Sequence, residues 1–124
     1  VGVPVVKVQD NYYLSPHFGR APLFALVKVS GEKYDVVEVL ENVHAHHERG
    51  RGRGVVELLA SRGVNAVILL GVGPGAFYRL RERGIKVYYV PAEIASRALV
   101  PLSIAVEMFI NNQLEEAREP REMD

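Results

Sequence analysis

Residues 1–8 are rich in β-branched side chains and give way to the polar run Gln9-Asp10-Asn11, which predicts a first strand leading into a loop. Residues 23–29 and 34–40 read as two more strands joined across Ser30-Gly31-Glu32-Lys33, the pattern of a hairpin. In the second of them Val37 and Val39 alternate with Glu38 and Leu40, so one face is partly wet, as on the antiparallel edge of a mixed sheet. Further along, Leu59, Arg62, Gly63, Val64 and Ala66 recur twenty-one residues later as Leu80, Arg83, Gly84, Ile85 and Val87. Each copy reads as a helix that ends on arginine, a glycine just beyond it where a left-handed cap excludes Cβ, and a buried strand. The strands at 64–70 and 86–90 should therefore lie parallel, linked through a helix at 75–83. A last helix opens near Pro101, with Leu102, Ala105, Val106 and Phe109 on one stripe.

The chain of 124 residues is one domain's worth, with 48% apolar and 24% charged residues, the make-up of a folded globular protein. Residues 1–114 are assigned to the domain and the acidic stretch 115–124 to a flexible tail with little to bury. Fifteen basic residues balance fifteen acidic ones, so no global field draws the molecule to nucleic acid or to an anionic membrane, and any anion must be caught locally. Cysteine is absent, which removes thiolate nucleophiles, disulfides and Cys-held metal sites and leaves histidine as the soft-metal ligand. No apolar stretch approaches the roughly 20 residues a membrane span needs, and a cytoplasmic location is expected.

In an open α/β sheet, ligands gather beyond the carboxyl ends of the parallel strands. Three segments should converge there. The turn Gly71-Val72-Gly73-Pro74-Gly75 follows a strand and opens a helix, so its backbone either cradles an anion or only allows a tight, closely packed turn. It lacks the Lys-Ser/Thr of a P-loop. The loop at 42–54 holds His44, His46 and His47 within four positions, followed by Arg49, Arg51 and Arg53 alternating with glycines. Imidazoles at that spacing suit a borderline metal and guanidiniums suit an oxyanion, a combination matched to an anionic metal species; the alternative is a solvated loop. RNA binding by the Arg-Gly run is weaker, because no aromatic residue interleaves for stacking. Finally, Ser15-Pro16-His17-Phe18-Gly19-Arg20 reads as a cap, a first helical proline and a short helical turn, presenting His17 and Arg20 at the same edge. The structural alternative has His17 on a backbone carbonyl and Arg20 paired with a surface carboxylate.

The string His17-Phe18-Gly19-Arg20-Ala21-Pro22 with Leu23-Phe24, and Leu70-Gly71-Val72-Gly73-Pro74-Gly75-Ala76 with Gly84-Ile85-Lys86-Val87-Tyr88, resembles the dinitrogenase iron-molybdenum cofactor biosynthesis family. The resemblance implies a ribonuclease H-like α/β domain, a mixed five-stranded sheet flanked by helices, and relatives that bind or carry iron-sulfur and iron-molybdenum cluster precursors. It marks His17 and Arg20, the histidines His44, His46 and His47, and the glycines of the turn. Without cysteine, a thiolate-held cluster cannot be tightly fixed by this chain alone.

The leading expectation is a non-enzymatic carrier of an iron-sulfur or iron-molybdenum cluster precursor or related anionic metal species. In it His17, His44, His46 and His47 ligate, while Arg20, Arg49, Arg51, Arg53 and the backbone at Gly71, Gly73 and Gly75 compensate charge. Its partners would be the cluster and the proteins that donate or accept it. The alternative is a regulator that binds a small anion or nucleotide phosphate. A ribonuclease H-type nuclease ranks lower, since it needs converging carboxylates and only Asp10 lies at the end of the first strand. A Ser-His-Asp hydrolase ranks lower still: Ser15 precedes a proline and no nucleophile elbow is present.

Overall fold

The computed structural model describes residues 1–44 and 51–122. In chain order the elements are β1 (Gly2–Val8), β2 (Asn11–Leu14), β3 (Leu23–Ser30), β4 (Lys33–Glu41), α1 (Arg51–Ser61), β5 (Ala66–Leu69), α2 (Pro74–Glu82), β6 (Lys86–Tyr89), α3 (Ala92–Ala95), α4 (Leu102–Ile110) and β7 (Glu115–Glu116). The strands form one mixed sheet in the order β4-β3-β1-β5-β6-β7, with β2 paired to β1. The hairpin β3–β4 is antiparallel with β4 at the edge, and β5 and β6 are parallel, both as the sequence pattern predicts. The count differs. Seven strands are present among the described residues where five were expected, because β2 and β7 join the sheet.

Strand alternation sorts the core into two layers. Phe24 and Leu26 of β3, Val67 and Leu69 of β5, and Val87 of β6 face the helices α1 and α2, meeting Val55, Leu59, Phe77 and Leu80. Ala25 and Val27, Ile68 and Leu70, with Val3 and Val5 of β1, face α4 through Leu102, Ala105 and Val106. Tyr88 closes that second layer edge-on against Phe109, ring centres 5.1 Å apart.

The twenty-one-residue echo is realised as two equivalent helix ends. Gly63 and Gly84 take φ of 76° and 72°. Val64 N–H returns to Leu59 O at 3.1 Å and Ile85 N–H to Leu80 O at 2.9 Å, the same six-residue closure in both copies. Each closure feeds a parallel strand. No helix among the described residues is long and apolar enough to cross a membrane.

Two local expectations are corrected. Ser15–Arg20 does not form a helical turn: the segment is a bend followed by a turn, in which Ser15 Oγ accepts the His17 N–H at 3.2 Å. The chain beyond Leu114 is also not idle. Glu115 and Glu116 pair antiparallel with Tyr89 and Tyr88, and the segment continues along the sheet to Glu122.

Candidate functional site

The site is built where β5 leaves the sheet. Val5 of β1 pairs with Leu23 on one side and Leu14 on the other, and Gly2 pairs with Leu26 and Val67, so β2 and β5 share one edge of β1. β2 therefore carries the chain back along the edge that β5 vacates. Ser15 N–H bonds to Pro4 O at 2.8 Å, delivering residues 16–20 beside the turn that follows β5. Between them opens a cleft of about 450 Å³ lined by the 16–20 segment, residues 71–76, Gly52 of α1 and Glu122.

One wall is anchored from below. Phe18 is buried and packs edge-on against Phe24 at 5.6 Å, which leaves its neighbours facing the cleft. The guanidinium of Arg20 lies 3.1 Å from His17 Nδ1, so the two side chains form a local pair. Arg20 thus leans on His17 and not on a surface carboxylate, the structural alternative for this pair. The wall is tied by Asn42, only 6% exposed. Its Nδ2 donates to Gly19 O at 3.0 Å and Ala21 O at 2.8 Å, and its Oδ1 accepts the His44 N–H at 2.9 Å. One amide at the end of β4 thus holds the His17–Arg20 turn and starts the histidine segment.

The opposite wall is the start of α2. Gly73 is its N-cap with extended backbone and Pro74 its first residue, as the sequence predicts. A helix leaves its first N–H groups without intrahelical partners; Pro74 has none to offer, and Gly75 and Ala76 line the cleft. Those amides and the helix dipole favour a negative guest. α1 packs closely here: a Cβ on Gly52 would sit 3.0 Å from Ala76 Cβ.

The sequence of the dinitrogenase iron-molybdenum cofactor family matches residues 2–102. The chain belongs to that family. An uncharacterized protein of Methanocaldococcus jannaschii is 38% identical over 79 residues, 64% of this chain and 67% of the relative. Among solved structures, the apo form of the orange protein from Desulfovibrio gigas superimposes with a TM-score of 0.75 at 25% identity, covering 98% of this chain and 94% of that one. A NifB-like protein of Thermotoga superimposes with a TM-score of 0.70 at 30% identity, covering 93% and 90%. The family match thus spans both walls of the cleft, 16–20 and 71–76.

Of the residues singled out from sequence, His17, Arg20, Gly71, Gly73 and Gly75 meet at this one cleft. His44 is not among its lining residues; its ring packs on the first described turn of α1, where a Cβ on Gly54 would come within 2.5 Å of Nδ1. His46, His47 and Arg49 lie outside the described residues, as does the side chain of Arg51. Arg51, Gly52, Arg53 and Gly54 are helical, so the loop expected to run to Gly54 does not include these four residues. The Arg53 side chain is exposed and does not line the cleft. Asp10 sits in the β1–β2 turn, where it lines a separate pocket with Tyr12 and Tyr34, apart from the cleft.

The donor set therefore fits an anion more fully than a bare cation. Apart from the Glu122 carboxylate it comprises an imidazole, a guanidinium and helix N–H groups, and no group of three or more His, Asp or Glu side chains able to hold a metal ion occurs among the described residues. Two contributors were missed from sequence. In the sequence Asn42 is only the start of a loop; its burial follows a strand end, where an amide matches three backbone groups at once. Glu122 falls within the acidic stretch 115–124, and nothing in its local sequence marks it.

Proposed function

We propose that this chain is a carrier for an anionic metal cluster or cluster precursor, taken up as cargo in the cleft between the His17–Arg20 turn and the glycine turn. The observation that supports it is the meeting of the two family-matching segments at one rim, with the imidazole and guanidinium held 3.1 Å apart against the start of α2. His17 supplies a ligand, Arg20 and the amides of Gly75 and Ala76 balance the charge, and the histidine segment from His44 onward contributes further imidazoles when the cargo binds. A cluster held through nitrogen donors and hydrogen bonds, with no thiolate from this chain, is released readily to an acceptor protein, which suits transfer over storage. No reaction is assigned to the chain.

The test is anaerobic isolation of the tag-free protein, elemental analysis, and titration with an iron-sulfur or iron-molybdenum precursor followed by its charge-transfer absorption. Uptake that falls at least tenfold in His17→Ala and in Arg20→Ala is expected. No uptake by wild type, or uptake by both variants equal to that of wild type, removes the reading. A second reading, a regulator that binds phosphate or a nucleotide phosphate, draws on the scarcity of metal ligands in the described cleft. It predicts calorimetric binding of those anions that survives a chelator.

A further inference from the structure

The last described residues form a strap clamped across the carboxyl ends of both parallel strands. Ala117 N–H bonds to Val87 O at 2.7 Å, and the buried Tyr89 donates its hydroxyl to Glu119 O at 2.8 Å. The Arg121 guanidinium then reaches Leu70 O through Nε at 3.0 Å and through a terminal nitrogen at 2.6 Å, and Val90 O at 2.6 Å. These are the first carbonyls beyond β5 and β6. The same guanidinium lies 4.4 Å from the centre of the Tyr89 ring. Its backbone forms a two-way bridge with Val72, inside the glycine turn, at 2.6 and 3.1 Å.

That clamp fixes the position of the next residue. Glu122 projects into the cleft, with its carboxylate over Gly73, where a Cβ would meet Oε1 at 3.0 Å. A carboxylate beside the start of α2 is what the helix dipole attracts, and it stands where an anionic guest would also be drawn. We propose that Glu122 is a built-in competitor for the anion subsite at the glycine turn, held there by the Arg121 clamp, so that an anionic guest enters only by displacing it. This rests on the carrier reading of the cleft. It adds that the affinity of the cleft is set by the strap as well as by the residues that touch the guest.

The test uses molybdate and inorganic phosphate as probes at low ionic strength, with the full chain, Glu122→Gln and Glu119→Gln compared by calorimetry. Glu119 lies on the same strap but outside the cleft, so its variant removes an equal charge without touching the subsite. The Kd of Glu122→Gln should fall by about five- to tenfold while that of Glu119→Gln stays near wild type. Without any probe present, the amide resonances of Gly73, Gly75 and Ala76 should shift in Glu122→Gln and not in Glu119→Gln. Equal affinities in wild type and Glu122→Gln, or unmoved amides, overturn the proposal and leave the carrier reading standing. Failure of every protein to bind either anion removes the anion subsite itself, and with it both.

Discussion

Asn42 is the residue on which the geometry of the cleft depends most, and Asn42→Ala is the sharpest perturbation of it. The amide is buried and makes three hydrogen bonds to backbone groups: Gly19 O, Ala21 O and the His44 N–H. At about 1 kcal/mol for each such bond, rising where a buried carbonyl is left without a partner, the loss should come to roughly 2–4 kcal/mol. Over 124 residues an unfolding entropy of about 2.1 cal/mol/K per residue gives roughly 0.26 kcal/mol/K, so the midpoint should drop by about 8–15 °C. Thermal unfolding followed by circular dichroism measures the drop. Amide exchange then shows where it acts: residues 17–21 should lose protection while β5 and β6 keep theirs. Asn42→Asp should be worse than alanine, since a carboxylate would face the two carbonyls that the Nδ2 group now serves. A midpoint within 2 °C of wild type, or exchange that rises equally across the sheet, would refute the assignment of Asn42 as the tie between the two loops.

Three further outcomes follow from other contacts. Gly54→Ala adds a good helix former to α1 but drives a Cβ into the His44 ring, so it should gain about 1 kcal/mol in a His44→Ala background and little or nothing in wild type; a double-mutant cycle in urea measures the difference. Arg121→Lys cannot reach both Leu70 O and Val90 O with a planar fork, so residues 115–122 should exchange their amides much faster, at a cost to stability of ~2 kcal/mol. Burial pushes the Tyr89 phenol above its ordinary 10, against the opposing pull of Arg121. A group whose folded pKa is raised contributes stability in full below the unfolded value and loses it as pH rises through the folded one. Wild type should therefore hold a constant advantage over Tyr89→Phe up to about pH 10 and lose it above, in paired thermal melts from pH 8 to 11.

The frame of the fold is legible because its signals are local and repeated. Apolar runs mark β1, β3 and β5, and two Arg-Gly helix ends mark the exits of α1 and α2. What the pattern hides is pairing imposed from a distance. Asn11-Tyr12-Tyr13-Leu14 is short, and only its register on Val5–Val8 makes it a strand. Glu115-Glu116 has a poor composition for β-structure, and it pairs because Arg121 and Tyr89 fasten the chain that follows. The Arg-Gly alternation misleads in the opposite sense. Glycine is a poor helix former, so 51–54 reads as loop, yet at Gly52 and Gly54 a Cβ would crowd Ala76 and the His44 ring.

The same distinction governs the site. His17, Arg20 and the glycine turn were visible because each sits in a run whose residue types only make joint sense beside a ligand, and the topology needs just one short returning strand, β2, to bring them together. Asn42 and Glu122 were invisible because their roles are relational: an amide matters where three backbone groups converge, and a carboxylate matters where a clamp sets it down. Their opposition has a physical consequence. With no net charge on the chain, the pull on an anion among the described residues of the cleft comes from Arg20 and the α2 amides, and the carboxylate over Gly73 opposes it. If Glu122 competes as proposed, drawing residues 115–122 off the sheet edge raises the affinity of the cleft and returning them lowers it, so the strap would tune loading without touching His17.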